Sequence, residues 1–126
     1  VYIGTDSFFI KDHCIFSTAI CLYGADKQKG GRYFFIKSKL NKSHFPELSI
    51  RMIKEAENTI NLANDIRDRI ENVKLELHLD ISAHDSNQGT SHLAKMLVGY
   101  VKGSGYECKI KPYAFAAASI ADKHSK

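Results

Sequence analysis

What the 126-residue chain lacks narrows its class. No stretch approaches the ~18 consecutive apolar residues of a membrane span, so no membrane partner is expected. No charged-then-apolar leader precedes the first strand-like run, which argues against secretion. Val1 already reads as strand, and a short N-terminal segment is expected to be missing before it. Cysteine is scarce and odd in number: Cys14, Cys21 and Cys108 sit in apolar or strand-like surroundings without paired spacing. Disulfide frameworks belong to oxidising compartments, so these three are expected to be reduced core residues of a cytoplasmic protein. There is no internal repeat, low-complexity tract or interdomain linker. A single domain over 1–126 follows.

Several chemistries lack their residues as well. Gly30-Gly31 falls in a hairpin loop rather than a phosphate-cradling turn, which removes ATP and dinucleotide chemistry. His84 and His92 have no CxxC or HExxH pattern near them, so zinc has no support. Ser7, Cys14 and Ser82 have neither a nucleophile elbow nor a base beside them, which argues against a serine or cysteine hydrolase. The charge excess is mild. Eighteen Lys plus Arg against fourteen Asp plus Glu give +4, which suits an anionic partner without demanding one.

What is present is a globular pattern, 44% hydrophobic and 25% charged. The run VYIGTDSFFI, then Cys14 to Tyr23, then Arg32 to Lys37 read as three strands with short connections, hence an antiparallel meander. Lys37 to Ser43 reads as a basic, exposed connection. From Glu47 to Ile70, Met52, Ile53, Ala56, Ile60, Ala63, Ile66 and Ile70 recur at helical spacing behind Pro46. Val73 to Ile81 alternates strictly and predicts a fourth strand, followed by a polar loop over 82–89. Leu93, Met96, Leu97, Tyr100 and Val101 predict a second helix, stopped by Gly103 and Gly105. Tyr106 to Lys111 predicts a fifth strand, and Ala114 to His124 a final helix. Helix-linked strands pair in parallel through right-handed crossovers. The expectation is therefore an α/β protein with a mixed five-stranded sheet: a three-strand meander plus two parallel strands, flanked by helices.

Two acids stand where acids are disfavoured. Asp6 lies inside the first strand among Ile3, Gly4, Phe8 and Phe9, and Asp80 ends the fourth. Ligands of α/β sheets bind outside the carboxyl ends of strands. If these strands are neighbours, two charges 4 Å apart repel by about 4 kcal/mol at an effective dielectric near 20. A shared proton, a basic side chain or a divalent cation must offset that. Hard oxygen ligands suit Mg²⁺ or Mn²⁺.

The order of elements resembles the ribonuclease H-like fold, and several segments look like its YkuK-type branch. They are Tyr2-Ile-Gly-Thr-Asp-Ser7, Arg51-Met52 with Glu55, His78-Leu-Asp-Ile-Ser82, Gly99-Tyr-Val-Lys-Gly-Ser-Gly-Tyr106, Lys111-Pro112 and Ala116-Ala-Ala-Ser-Ile-Ala-Asp122. The resemblance implies four carboxylates holding two divalent ions: Asp6 bridging, Glu55 and Asp80 completing one site, and Asp122 the other. It prefers Glu55 to Glu57, because Ala56, Ile60, Ala63 and Ile66 follow Glu55 at the family's steps. It implies a nuclease that hydrolyses phosphodiester bonds in RNA, DNA or an RNA–DNA hybrid. Tyr113-Ala114 stands where the family pattern has a small polar or acidic residue, which argues against a further ligand from that loop.

Around the acids, Lys37, Lys39, Lys42, Arg51, Lys54 and Lys111 are candidate phosphate contacts. Tyr33, Phe34, Phe35 and Tyr113 are candidate stacking residues, although strand aromatics more often fill cores. His78 shares a strand face with Asp80 and could orient a ligand or simply pack. A second reading stays open: an inactive module of the same fold that binds nucleic acid or a protein.

Overall fold

The computed structural model of the chain describes residues 1–22, 32–45, 47–81, 88–111 and 113–114, with backbone only at 32, 33 and 88–91. Three strands rich in β-branched and aromatic residues, β1 (Tyr2–Ile10), β2 (His13–Leu22) and β3 (Arg32–Asn41), pair antiparallel in sequence order. The β1–β2 hairpin closes over two residues, and Lys11 takes a left-handed φ of 51° there. Helix α1 (Leu48–Arg69) crosses back, so β4 (Glu76–Leu79) pairs parallel to β1. Helix α2 (Gln88–Gly103) makes the second crossover, and β5 (Glu107–Lys109) pairs parallel to β4. The sheet order is β3-β2-β1-β4-β5. This is the mixed five-stranded α/β sheet that the sequence predicts.

Strand alternation divides the sheet into two faces. Ile3, Leu77, Leu79 and Ile81 face the helices, packed against Met52, Ala56, Ile60 and Ala63 of α1 and Leu93, Ala94, Leu97 and Val101 of α2. Burying a side chain of this size stabilises by about 1.5–3 kcal/mol. One polar joint lies inside this face. Thr5 Oγ1 is 2.9 Å from Thr18 Oγ1 and 2.8 Å from Thr59 Oγ1, and Thr59 also donates to the Glu55 carbonyl at 2.9 Å. That chain of hydroxyls fixes β2, β1 and α1 in mutual register. The other face carries Tyr2 and Phe35 against Ala19 and Cys21.

The structure corrects several boundaries. The basic segment after Ile36 is no connection: β3 continues through Asn41 as an edge strand, and only Lys42–His44 forms a 3-10 turn. Strand pairing, which composition does not report, decides this. The fourth and fifth strands are shorter than the alternation suggested, because pairing stops at Leu79 and Lys109. Ile53 of α1, Ile70 at its extended C-cap, and Met96 and Tyr100 of α2 are exposed, so the buried stripes are narrower than the apolar ones. The predicted final helix, Pro46 and the 82–87 loop lie outside the described residues.

Thr5→Val keeps the shape but leaves Thr18 without a partner in a dry site. The expected loss is about 1–3 kcal/mol, read as a lower urea midpoint with an unchanged slope.

Candidate active site

The parallel register pairs Gly4 with His78 and Thr5 with Leu79. Continued by one residue, it sets Asp80 beside Asp6 where β4 ends and β1 runs on. Both carboxylates therefore belong to one sheet face. Asp6 is buried at 8% exposure, and Asp80 is partly buried. Glu55 arrives from the helix side. It borders the apolar stripe of α1 and lines a narrow cleft with Thr5, Met52, Leu79, Asp80 and Ile81. The end of β4 is thus the gap through which an acid on α1 meets acids on the sheet.

The three charges interact. Burial pushes the Glu55 carboxyl well above the usual carboxylate range, and the Asp6 and Asp80 charges push it further. Arg51, one helical turn earlier, and the Ser7 hydroxyl offset this in part. Lys111 Nζ lies 3.1 Å from Asp80 Oδ1, held there because the Lys111 N–H donates to the Ile81 carbonyl at 2.9 Å. Even so, Asp80 Oδ1 is buried and receives no aligned hydrogen bond. Lys111 thus answers Asp80, and Arg51 offsets part of the charge felt at Glu55.

Hard oxygen donors, an under-satisfied buried carboxylate oxygen and an acid whose pKa is raised by burial and by two neighbouring carboxylates fit a divalent cation such as Mg²⁺ or Mn²⁺. Among the described residues no group of three His, Cys, Asp or Glu side chains stands close enough to hold an ion at once. Asp122, the fourth expected acid, lies outside the described residues. Glu57 is exposed, on the opposite side of its neighbour Ala56 from the cleft-lining Glu55.

The expected cations separate into groups. Lys37 and Lys39 are exposed on the edge strand. The register Asp6–Ser17–Lys37 places Lys37 on the face of Asp6, two strands or about 10 Å away. Lys42 and Arg51 flank the Phe9 ring instead. Lys54 is partly buried on α1, and Lys111 is the ion-pair partner of Asp80. Of the candidate stacking residues, Phe34 and Tyr113 are exposed, Phe35 packs on Ala19 and Cys21, and the Tyr33 side chain lies outside the described set. His78 is fully buried, 2.7 Å from Glu76 and against the Tyr2 ring, and desolvation holds its pKa below the ordinary value despite Glu76. It packs rather than reaching outward. The cysteines are free. Burial raises the Cys14 thiol and pushes Cys21 and Cys108 up to about 11, so none is a ready nucleophile.

Sequence reading missed Ser7 and Lys111 as neighbours of the acids. Ser7 was signalled by alternation, since the residue after Asp6 must point at α1. Lys111 was expected only as a phosphate contact, and its pairing with Asp80 had no signal because a residue beyond β5 meets Asp80 only through the β4–β5 pairing.

A three-strand meander, two crossover helices and acids gathered at the end of the first parallel strand define an α/β protein of the ribonuclease H-like class. The family described as Ribonuclease H-like matches residues 1–126, and the chain belongs to it. No curated protein and no solved structure is a significant match. No helix among the described residues is long and apolar enough to cross a membrane.

An acid with a raised folded pKa withdraws stability as pH climbs from its unfolded value through its folded one. Glu55→Gln is therefore expected to match the parent near pH 4 and to become progressively the more stable protein towards pH 8. Urea midpoints measured across that range check the sign.

Proposed function

We propose that the chain is a divalent-metal-dependent nuclease that hydrolyses phosphodiester bonds of nucleic acid. The observation that carries this reading is the approach of Asp6, Glu55 and Asp80, where burial first and then the two aspartate charges raise the Glu55 carboxyl well above the usual carboxylate range. A divalent cation bound there would offset that repulsion. Asp6, Glu55, Asp80 and Asp122 would hold the ions. Bound there, a pair of divalent cations supplies a water of lowered pKa for attack and charge stabilisation at the leaving 3′ oxygen.

The protein's own residues do the remainder. Because the Glu55 carboxyl is raised well above its usual range, ion binding there would be linked to pH. Asp6 is held by its β2 partner Ser17, on a central strand whose preceding residue Thr5 pairs with Leu79 of β4. Lys111 has a side chain 49% exposed, and it can turn to a substrate phosphate when Asp80 is neutralised otherwise. Lys37 and Lys39 extend the same sheet face with positive charge, along which a strand of nucleic acid can lie. The Lys111–Asp80 pair also supports the second reading, a binding module whose acids are purely structural.

Asp6→Asn is expected to lower Mg²⁺- or Mn²⁺-dependent cleavage by about 100-fold or more. Glu57→Gln is expected to cleave like the parent. Equal cleavage by Asp6→Asn and parent would remove Asp6 from the site, and a parent that binds nucleic acid without cutting it selects the binding module. A Mn²⁺ soak read by anomalous scattering locates the ligands directly, with the peak expected against Asp6.

A further inference from the structure

Phe9 is the one aromatic ring among the described residues with a cation against it from each of two elements. Lys42 Nζ lies 5.1 Å from its centroid and Arg51 Cζ 4.9 Å, so the two charges are no further apart than about twice that distance. Three elements fix the group. Phe9 is near the end of β1, two residues beyond Ser7 and on the same face. Lys42 opens the 3-10 turn, and its N–H donates to the Asp12 carbonyl at 2.7 Å, which ties it to the β1–β2 hairpin. Arg51 is in the first turns of α1, where it influences Glu55. Neither cation forms an ion pair among the described residues. Arg51 Nε is buried and has no hydrogen-bond partner there. Phe9 itself is 37% exposed.

Two cations without an ion-pair partner among the described residues thus lie against one half-open ring, whose attraction for each is modest. An anion beside the ring can draw on both charges. We propose that Phe9, Lys42 and Arg51 form a phosphate-holding site for the backbone of a nucleic-acid strand entering the acid cluster. The proposal rests on the nucleic-acid reading above and adds to it where the strand is gripped: on the helix side of the sheet, from which Glu55 reaches the cluster. Lys37 and Lys39 lie on the opposite face. Phe9 acts as a positioning residue that holds both cations at one ring, and the charges make the contact.

The test is binding in EDTA, followed by fluorescence anisotropy across a salt series. The probes are short labelled single-stranded DNA, duplex DNA and an RNA–DNA hybrid. Lys42→Gln is expected to reduce the slope of log affinity against log salt by about 0.9 on a duplex or about 0.7 on a single strand. Phe9→Leu keeps both charges. It is expected to weaken binding by about threefold, with the slope unchanged. Lys74→Gln removes the same charge at the far end of β4 and is expected to match the parent. Parental behaviour of both Lys42→Gln and Phe9→Leu overturns the proposal. So does an equal slope change in Lys74→Gln, or an absence of measurable binding by the parent. Because EDTA removes divalent ions, this result stands or falls separately from the Asp6→Asn cleavage assay.

Discussion

Carboxylates in a low-dielectric junction cannot all carry their charge without help, and the arrangement of this protein follows from that constraint. Asp6 and Asp80 each stand one residue past Thr5 and Leu79, the last pair of the β1–β4 ladder, and Glu55 lines the cleft beside Asp80 where β4 stops. Burial and the two aspartates raise the Glu55 carboxyl well above the usual carboxylate range, while Lys111 gives Asp80 a counter-charge without an aligned hydrogen bond. The balance of charge among these acids is what a bound cation would change.

The rest of the fold serves to hold that junction still. The meander places β1 centrally, paired antiparallel to β2 and parallel to β4, so Asp6 sits on the best-supported strand. The Thr18–Thr5–Thr59 hydroxyls lock β1 to α1 one turn from Glu55, and that turn shares the Glu55 carbonyl as its acceptor. Apolar packing of α1 and α2 on Leu77 and Leu79 closes the core behind the acids. Positive charge is kept at the margins: on the β3 edge, on the ring of Phe9 and at Lys111.

Much of the fold was legible because burial imposes periodicity. β-Branched and aromatic residues in VYIGTDSFFI and alternation in the run before Asp80 mark strands, and three- and four-residue steps over 47–70 reflect one buried helix face. Where periodicity and burial part company, the reading slipped. Ile53, Ile70, Met96 and Tyr100 continue apolar stripes that no partner covers. The lysine-rich stretch after Ile36 has the composition of a loop, yet its backbone groups pair with β2, so it is strand.

The amino-acid sequence alone determined which elements form, their order and the improbable acids at Asp6 and Asp80, because local propensity and a buried face leave marks in neighbouring residues. It equally set Glu55 at the border of its stripe, since helical geometry is local. Tertiary structure alone decided that Lys111 answers Asp80, that Arg51 and Lys42 share the ring of Phe9, and that Lys37 lies on the face of Asp6. Those relations join residues distant in the chain through strand pairing and helix crossing, and Coulombic and packing energies depend on separation in space rather than along the backbone.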